Sequence, residues 1–436
     1  MDNMSEVLIN GVLEQIEINK EFEQALELIE NTNESVFITG RAGCGKSTLL
    51  RYLKENTKKN AIVLAPTGVA AMNVIGQTIH SFFKFPPKFI DKRVIRKMRN
   101  QKMFKSIELI IIDEVSMVRA DLMDGIDHAL RINRGFDIPF GGAQIVMFGD
   151  LFQLPPVIRG DEMKNFFNEH YGSPYFFNAS VFMKLKLHYI ELHKIYRQLD
   201  NKFIDLLDKV RNKDIKQSDL DQLNKRVIRP PESLEHIITL ATTNKIASQV
   251  NERCLNKINS GEYYFQAEIS EEFDQAFFPT EYNLKLKKGA QIMMMMNDPQ
   301  KRWVNGTIGQ VENLSDSFIE VKIENRVYEI KRSTWHKIEY KYDKENKHIV
   351  EDITGTFMQY PVRLAWAITI HKSQGKTFEN VIIDLGYGAF AHGQVYVALS
   401  RCISLEGVVL KRPIRANDII FDEKIYEFRN RFISSN

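Results

Sequence analysis

One eight-residue segment, "GRAGCGKS" at residues 40–47, restricts the fold of this chain more than any other part of the sequence. It matches G-x-x-x-x-G-K-[ST] in full, and it lies between a β-rich apolar run and a helical pattern. Glycines allow backbone N–H groups to curl around phosphate oxygens, and the N-terminus of the following helix adds partial positive charge. The order of strand, loop and helix therefore predicts a phosphate-binding loop rather than an ordinary glycine-rich turn.

The side chains of this loop have separate expected roles. Lys46 would reach the β- and γ-phosphates of a nucleotide, and Ser47 would hold Mg²⁺. Cys44 has no base motif nearby, so we interpret it as a small loop filler rather than a nucleophile. The predicted nucleotide-binding residues of the loop are Gly40, Gly43, Cys44, Gly45, Lys46, Ser47 and Thr48.

A pair of acids complements the loop. Four apolar residues, "LIII" at 109–112, form a buried-strand pattern that ends in Asp113 and Glu114. We expect Asp113 to bind Mg²⁺ and Glu114 to orient and deprotonate the attacking water. The alternative is an exposed acidic turn, which the phosphate loop in the same chain disfavours. A glutamate at this position favours a nucleotide hydrolase over a slow switch.

The composition sets outer limits on fold and location. A length of 436 residues is too great for one core and predicts two or more domains. The net charge of +3 permits a nucleic-acid partner without requiring one. Three widely separated cysteines exclude a disulfide framework or zinc spacing, which suits a reducing cytoplasm. The N-terminus lacks a signal pattern and the apolar runs are too short to span a bilayer, so we expect no membrane association.

Most of the chain alternates strand and helix patterns, which is typical of doubly wound parallel sheets, and there are enough strands for two. The stretch from residue 284 to about 360 differs. "SFIEVKIENRVYEIKR" alternates apolar and polar residues and turns back on itself, and "HKIEYKYDKENKHIVEDI" has the pattern of a second hairpin. These two hairpins predict a small all-β insertion within the second sheet domain.

A series of motifs then follows in a fixed order: "GRAGCGKST", "APTGVAAMNVIGQTIHSFF", "IIIDEVSM", "FGDLFQLPPV", "IYRQ", "AITIHKSQGKTF" and "VYVALSRC". The series resembles that of superfamily-one DNA helicases, and "TIHSFF" with "GDLFQLPPV" narrows the resemblance to the RecD-like branch. Within that branch the chain most resembles the petite-integration-frequency (Pif) family. The segment at residues 117–140 resembles an additional signature of that family.

The resemblance implies an α/β fold with two RecA-like parallel-sheet domains and a small Src-homology-three-like barrel inserted in the second. The first domain is expected over residues 1–185, with a wedge or accessory segment near 68–105. The second is expected over 186–283 and 358–436, and the barrel over 284–357.

The resemblance also implies a function. We expect an ATP-dependent DNA helicase that uses ATP and Mg²⁺, moves 5′ to 3′ on single-stranded DNA, and unwinds forked duplex and G-quadruplex DNA. Implied roles are DNA repair, recombination and telomere maintenance, and the protein is expected to be a nucleoid-associated bacterial monomer until DNA binds. One alternative is a RecD-like or relaxase-type helicase, which the signature at 117–140 and the absence of a nicking domain disfavour. Another is an ATP-switched single-strand binding protein that does not unwind.

Further nucleotide-site residues come from the resemblance alone. Gln24 is expected to recognise adenine, Gln153 to sense the γ-phosphate, and Gly375 to face the nucleotide. Arg197 and Arg401 are expected to be arginine fingers from the second domain, although either could be a surface ion-pair residue. The predicted catalytic residues are therefore Lys46, Glu114, Gln153, Arg197 and Arg401.

The DNA-binding residues are expected in loops that follow strands. From the first domain they are Thr67, Gly68 and His80, and from the second they are Asn244, Thr369, His371 and Lys372. Backbone N–H groups and small hydroxyls there would hold phosphates. Both histidines could equally be satisfied core residues.

The basic stretch "FFKFPPKFIDKRVIRKMRNQKMFK" at residues 82–105 interleaves aromatic and cationic residues. This composition suits a nucleic-acid path or a wedge at the duplex junction, with Phe85 and Phe89 contacting DNA. The alternative is an amphipathic helix with Ile90, Val94 and Met98 facing inward and a solvated basic face.

Overall fold

The computed structural model describes residues 4–9, 12–86, 88–158, 160–198, 200–229, 237–271, 273, 275, 278–343, 345–346 and 348–433. An antiparallel hairpin, β1 (Met4–Ile9) with β2 (Val12–Glu17), precedes the first sheet. That sheet has six parallel strands in the order β5-β4-β6-β7-β3-β8. They are β3 (Ser35–Gly40), β4 (Ala61–Ala65), β5 (Gln77–Thr78), β6 (Leu109–Ile112), β7 (Gln144–Phe148) and β8 (Leu187–Leu192).

Helices cover both faces of this sheet, which is why β3, β6 and β7 are buried along their whole length. The helices of this part of the chain are α1 (Lys20–Asn31), α2 (Lys46–Asn56), α3 (Gly68–Asn73), α4 (Ile79–Phe83), α5 (Gln101–Ser106), α6 (Ala120–Arg134) and α7 (Asp161–His170).

The second sheet has four parallel strands in the order β20-β9-β21-β22. They are β9 (Ile238–Ala241), β20 (Ala367–Thr369), β21 (Val381–Asp384) and β22 (Val408–Leu410). The helices of this part are α8 (Asn201–Asn212), α9 (Gln217–Asn224), α10 (Asn244–Asn256), α11 (Gln394–Leu399) and α12 (Glu423–Ile433). Two parallel α/β sheets confirm the predicted fold class.

The antiparallel strands between β9 and β20 form three small sheets, with orders β10-β12, β11-β18-β17 and β16-β15-β14-β13-β19. They are β10 (Glu262–Gln266), β11 (Glu268–Glu271), β12 (Asn283–Lys287), β13 (Gln291–Met294), β14 (Ile308–Leu314), β15 (Ile319–Ile323), β16 (Arg326–Ile330), β17 (Ser333–Asp343), β18 (His348–Gln359) and β19 (Val362–Leu364). The predicted start of the insertion at residue 284 is too late, because it falls inside β12, whose partner β10 lies earlier in the chain.

The hairpin β17–β18, which belongs to the three-stranded sheet, reaches the first sheet, a contact that the expected barrel did not anticipate. The Tyr340 hydroxyl accepts from the Val63 N–H (3.0 Å) and donates to the Val63 carbonyl (3.3 Å). Strand β5 pairs with β4 only beyond Val63, so this hydroxyl takes the place of a neighbouring strand there. Ion pairs Lys84–Glu339 (3.1 Å) and Lys54–Glu351 (2.8 Å) hold the hairpin at two further points.

The expected boundary at residues 185–186 is also corrected. All six residues of β8 pair with β3, so the first sheet extends to residue 192. The C-terminal helix α12, expected in the second domain, packs on the first sheet as well. The ring of Phe428 stacks on Phe177 with centroids 4.3 Å apart, and that of Phe432 stacks on Tyr189 at 5.3 Å. The chain therefore returns to its first sheet after completing the second.

The basic stretch at residues 82–105 is neither the expected aromatic wedge nor a continuous helix. Phe85 is only 8% exposed and stacks on Phe83 at 5.3 Å, while the half-buried Phe89 packs edge-on against Phe166 at 4.7 Å. Both rings are packed within the first domain, so they are not surfaces for stacking DNA bases here. Val94, expected to face inward, is 59% exposed. The stretch is a surface segment anchored by its apolar side chains.

Candidate nucleotide and nucleic-acid sites

A cleft of about 700 Å³ lies where the two parallel sheets meet. Strand ends and loops from both sheets line it, so it is built only when the chain is fully folded. The predicted residues that line it are Gly43, Cys44, Gly45, Lys46, Ser47, Thr48, Glu114, Gln153, Arg197, Gly375 and Arg401. Lining residues that the sequence analysis missed are Glu17, Phe22, Ala42, Tyr196 and Thr377.

The phosphate loop connects β3 to α2, as predicted. The ammonium group of Lys46 donates to the carbonyl oxygens of Gly40 (2.8 Å) and Arg41 (2.9 Å), which holds it within the loop. At Gly43 the backbone is left-handed, with φ at 84°, and an added Cβ would lie 2.4 Å from the Cβ of Arg197. Both the left-handed backbone conformation and the close packing against Arg197 therefore require glycine at this position.

Asp113 and Glu114 follow β6, which ends beside the phosphate loop. Glu114 adopts a left-handed backbone conformation, with φ at 48°, and its side chain lines the cleft. Burial raises the pKa of both carboxyl groups, and the charge of Glu114 raises that of Asp113 further. The positive charge of Lys46 lowers the pKa of both groups, so a further cation in the cleft would stabilise the two carboxylates.

The donors in this region fit Mg²⁺. The hydroxyl of Ser47 and the carboxylate of Glu114 line the cleft, and Asp113 immediately precedes Glu114 in the chain without being among the lining residues. All three are hard oxygen ligands, whereas the described residues contain no cluster of three His, Cys, Asp or Glu side chains that could enclose a metal. Mg²⁺ commonly binds through one or two carboxylates together with substrate phosphates. Ser47 and Asp113 are therefore suited to hold the ion with a nucleotide rather than without one.

The two arginines approach the cleft from different parts of the fold. Arg197 lies in the connection between β8 of the first sheet and α8, so its place in the second domain stays a prediction. Arg401 follows α11 of the second, is 1% exposed, and donates to the Val397 carbonyl (3.0 Å) and the Ser400 hydroxyl (2.9 Å). Burial and the neighbouring Arg197 lower the pKa of Arg401 to about 9, so it remains a cation at neutral pH.

Gln24 does not line the cleft. Helix α1 buries Phe22, Ala25 and Ile29, and Gln24 lies on the opposite, exposed face. Phe22 takes the inward position instead, and its ring would lie 3.1 Å from a Cβ added at Gly45. The helical spacing of the apolar residues in α1 already indicates that Phe22 faces inward and Gln24 outward, since positions two apart point to opposite sides of a helix.

The expected DNA-binding residues lie at the carboxyl ends of paired strands. Thr67 and His80 follow the neighbouring strands β4 and β5, while Asn244 and His371 follow the neighbouring strands β9 and β20. Carboxyl ends of adjacent parallel strands meet at one edge of a sheet, so each pair lies together. Gly68 begins α3 beside Thr67.

The side chains in these loops differ in availability. Asn244 and Lys372 are exposed, whereas Thr369 is buried and its hydroxyl accepts from the Lys372 N–H (3.3 Å). Burial lowers the pKa of both His80 and His371 and so favours their neutral forms, and the Arg119 charge adds to the effect at His80. Asn244 and Lys372 are therefore better placed to contact a strand than Thr369.

Comparison with known proteins bears on the whole chain. A family model described as "PIF1-like helicase" matches residues 14–221. The ATP-dependent DNA helicase Pif1 of Bdellovibrio bacteriovorus is 33% identical over 96% of this chain and 93% of its own length. The chain belongs to the Pif1 family of DNA helicases. This confirms the predicted family and an ATP-dependent DNA helicase activity, and the RecD-like and non-unwinding alternatives are wrong.

Solved Pif1 structures share the complete architecture. Bacteroides Pif1 in complex with ADP-AlF4 superposes with a TM-score of 0.88 at 38% identity, covering 97% of this chain and 98% of that one. The same enzyme bound to single-stranded DNA superposes with a TM-score of 0.71 at 38% identity, covering 96% of this chain and 98% of that one. A Pif1 structure at forked duplex DNA superposes with a TM-score of 0.70 at 37% identity, covering 97% of this chain and 98% of that one. Among the described residues of this Pif1-family chain, none of the helices has the length and apolar character needed to cross a membrane.

Proposed function

We propose that this helicase uses ATP hydrolysis in the cleft to move 5′ to 3′ along single-stranded DNA, and that it opens forked duplexes and G-quadruplexes. One observation carries the proposal. Lys46, Glu114 and Gln153 of the first sheet line the same cleft as Gly375 and Arg401 of the second. A ligand bound by both sides stabilises the closed arrangement of the sheets, and its hydrolysis removes that stabilisation.

The residues of the cleft divide the chemistry among them. Lys46 neutralises charge on the β- and γ-phosphates, Glu114 orients and deprotonates the attacking water, and Gln153 senses the γ-phosphate. Arg197 and Arg401 stabilise the charge that develops on the transferring oxygens, since an arginine finger contributes about 10³–10⁵ in rate. Mg²⁺ held by Ser47 and Asp113 would neutralise further phosphate charge when bound.

Support for the DNA substrate comes from the loops at the strand ends and from the relatives. Asn244 and Lys372 are exposed at one edge of the second sheet, and Thr67 and His80 lie at the corresponding edge of the first. Bacteroides Pif1 has been solved with single-stranded DNA, and a Pif1 structure concerns unwinding at forked duplexes. We further propose that this chain acts in the bacterial cytoplasm, as a monomer until DNA binds, in repair and recombination.

The direction of movement can be tested with partial duplexes that carry a single-stranded tail on one end only. We expect Mg-ATP-dependent displacement with a 5′ tail, faster displacement at a fork, and opening of a G-quadruplex placed behind a 5′ tail. Efficient displacement from a 3′ tail would contradict the polarity. Rapid DNA-stimulated ATP hydrolysis without displacement of any substrate would contradict the coupling itself.

A further inference from the structure

A chain of hydrogen bonds connects the phosphate loop to Gln153 through two buried side chains that the sequence analysis did not single out. The Ala42 N–H of the loop donates to the Tyr396 hydroxyl oxygen at 3.2 Å. That hydroxyl donates to Asp150 Oδ2 at 3.5 Å, and the same oxygen accepts from Gln153 Nε2 at 3.2 Å. Tyr396 is 3% exposed and Asp150 is 1% exposed, so water does not compete for these bonds.

The chemistry of the groups fixes their orientation. A carboxylate only accepts hydrogen bonds, so the NH₂ group of Gln153 must face Asp150. The amide oxygen of Gln153 is thereby turned away from Asp150, as an acceptor for a water or phosphate hydroxyl in the cleft. The hydroxyl of Tyr396 has one proton, which it gives to Asp150 while it accepts from Ala42. Burial and the charge of Asp150 raise the pKa of Tyr396, which keeps this proton in place.

Asp150 is held from its other side as well. Its Oδ1 accepts from the Phe152 N–H at 3.1 Å and faces the guanidinium of Arg211 at 3.5 Å. Arg211 lies 4.0 Å from the centroid of the Phe152 ring and is 3% exposed. The Phe152 N–H thus fixes the carboxylate from within the first domain, whereas Arg211 lies on α8 of the second part of the chain and, like Tyr396, reaches Asp150 from the other side.

Tyr396 comes from the opposite side of the cleft. It lies on α11 of the second domain, five positions before Arg401. At the start of this helix, a Cβ added at Gly393 would lie 2.3 Å from the Phe152 carbonyl oxygen, so only glycine permits so close an approach. Any movement of α11 that carries Arg401 into the cleft therefore also carries Tyr396 onto Asp150 and Ala42.

We propose that Tyr396 is a positioning residue for ATP hydrolysis: by docking on Asp150 and Ala42 it sets the orientation of Gln153 only when the second domain has closed. Hydrolysis then depends on closure of the second domain in two ways, through insertion of Arg401 and through orientation of Gln153. This inference deepens the proposed function and rests on the γ-phosphate role of Gln153 given there.

The test is Tyr396→Phe, which removes the hydroxyl and keeps the ring. With saturating single-stranded DNA we expect kcat for ATP hydrolysis to fall about tenfold, the scale of one lost hydrogen bond to a charged group. The KM for ATP should change less than about threefold, because the phosphate loop still binds the ground state. The matched control is Tyr175→Phe, since Tyr175 is 2% exposed and also donates to a carboxylate, Asp422, at 2.9 Å, away from the cleft.

A double substitution separates positioning from general loss of stability. If Tyr396 acts through Gln153, then Tyr396→Phe should slow the Gln153→Ala variant by less than about twofold further. A wild-type kcat in Tyr396→Phe, an equal loss in Tyr175→Phe, or a further tenfold loss in the Gln153→Ala background would overturn the proposal while leaving the role of Gln153 intact. A wild-type rate in Gln153→Ala would instead reject the sensor role and this inference with it.

Discussion

The ammonium group of Lys46 donates to two carbonyl oxygens of its own loop and lies 3.6 Å from Cys44 Sγ, which belongs to the same loop. Its removal should therefore leave the fold intact. We expect Lys46→Ala to reduce the kcat of ATP hydrolysis by about 100-fold or more, because a positive charge on the transferring phosphate is lost. Steady-state hydrolysis and single-strand binding should be measured on the same preparation. Near wild-type hydrolysis would mean that the loop does not bind the phosphates.

Residues within one strand, loop and helix could be predicted from the sequence because their spacing along the chain fixes their spacing in space. In this way the sequence predicts that Lys46, Ser47 and Glu114 lie close together, and all three line the cleft. Tyr396 could not be, since its partner Ala42 is 354 positions away and only tertiary folding brings the two together. The expected position of Gln24 in the cleft is wrong for a different reason. The resemblance specified only a glutamine near this point of the chain, and the helical phase of α1 places its side chain on the exposed face.

At the scale of elements, the basic stretch at 82–105 shows how composition can mislead. Its lysines and arginines are mostly exposed, as a DNA path would require, but its aromatic rings point inward. Ile90 is buried, and its N–H donates to the buried carboxylate of Asp121 at 2.8 Å. Such anchoring depends on α6, which lies later in the chain, so the local pattern carried no sign of it.

We therefore expect the main effect of Phe85→Ala to be a lower free energy of unfolding of the protein rather than a specific loss of DNA unwinding. Truncating a buried phenylalanine costs about 3–5 kcal/mol, and we expect the free energy of unfolding in urea to fall by about 3 kcal/mol. The matched control is Phe136→Ala, because Phe136 is 58% exposed and its truncation should cost less than about 1 kcal/mol. Loss of strand displacement with unchanged unfolding would restore the wedge interpretation of Phe85.

At the scale of the whole molecule, the hairpin β17–β18 ties the insertion to the first sheet through Tyr340. We expect Tyr340→Phe to destabilise the protein by about 1–3 kcal/mol, because the Val63 N–H is left buried without an acceptor. Hydrogen exchange should accelerate in the segment Ala61–Ala65. Tyr264→Phe provides a control in the same insertion, since the Tyr264 hydroxyl donates to Glu262 at an exposed position. Equal protection of Ala61–Ala65 in both variants would show that the hairpin does not support the sheet edge.

The fold class at this scale followed from strand and helix patterns, but the domain boundaries did not. When domain boundaries are predicted from the order of segments along the chain, each domain is assumed to be continuous or to be interrupted by a single insertion. Here β8 joins the first sheet after α7, and α12 returns to that sheet from beyond the second. Side-chain complementarity between distant segments decides such returns, and no local pattern encodes it.

The position of α12 also sets the order in which the protein can be completed during its synthesis. A ribosome releases the chain from its N-terminus, and early domains generally begin to fold first. The apolar surface around Phe177 and Tyr189 nevertheless lacks the rings of Phe428 and Phe432 until residues 423–433 have been made. The nascent first sheet must wait, with that apolar surface exposed to solvent or chaperones, while more than half of the chain is still being translated.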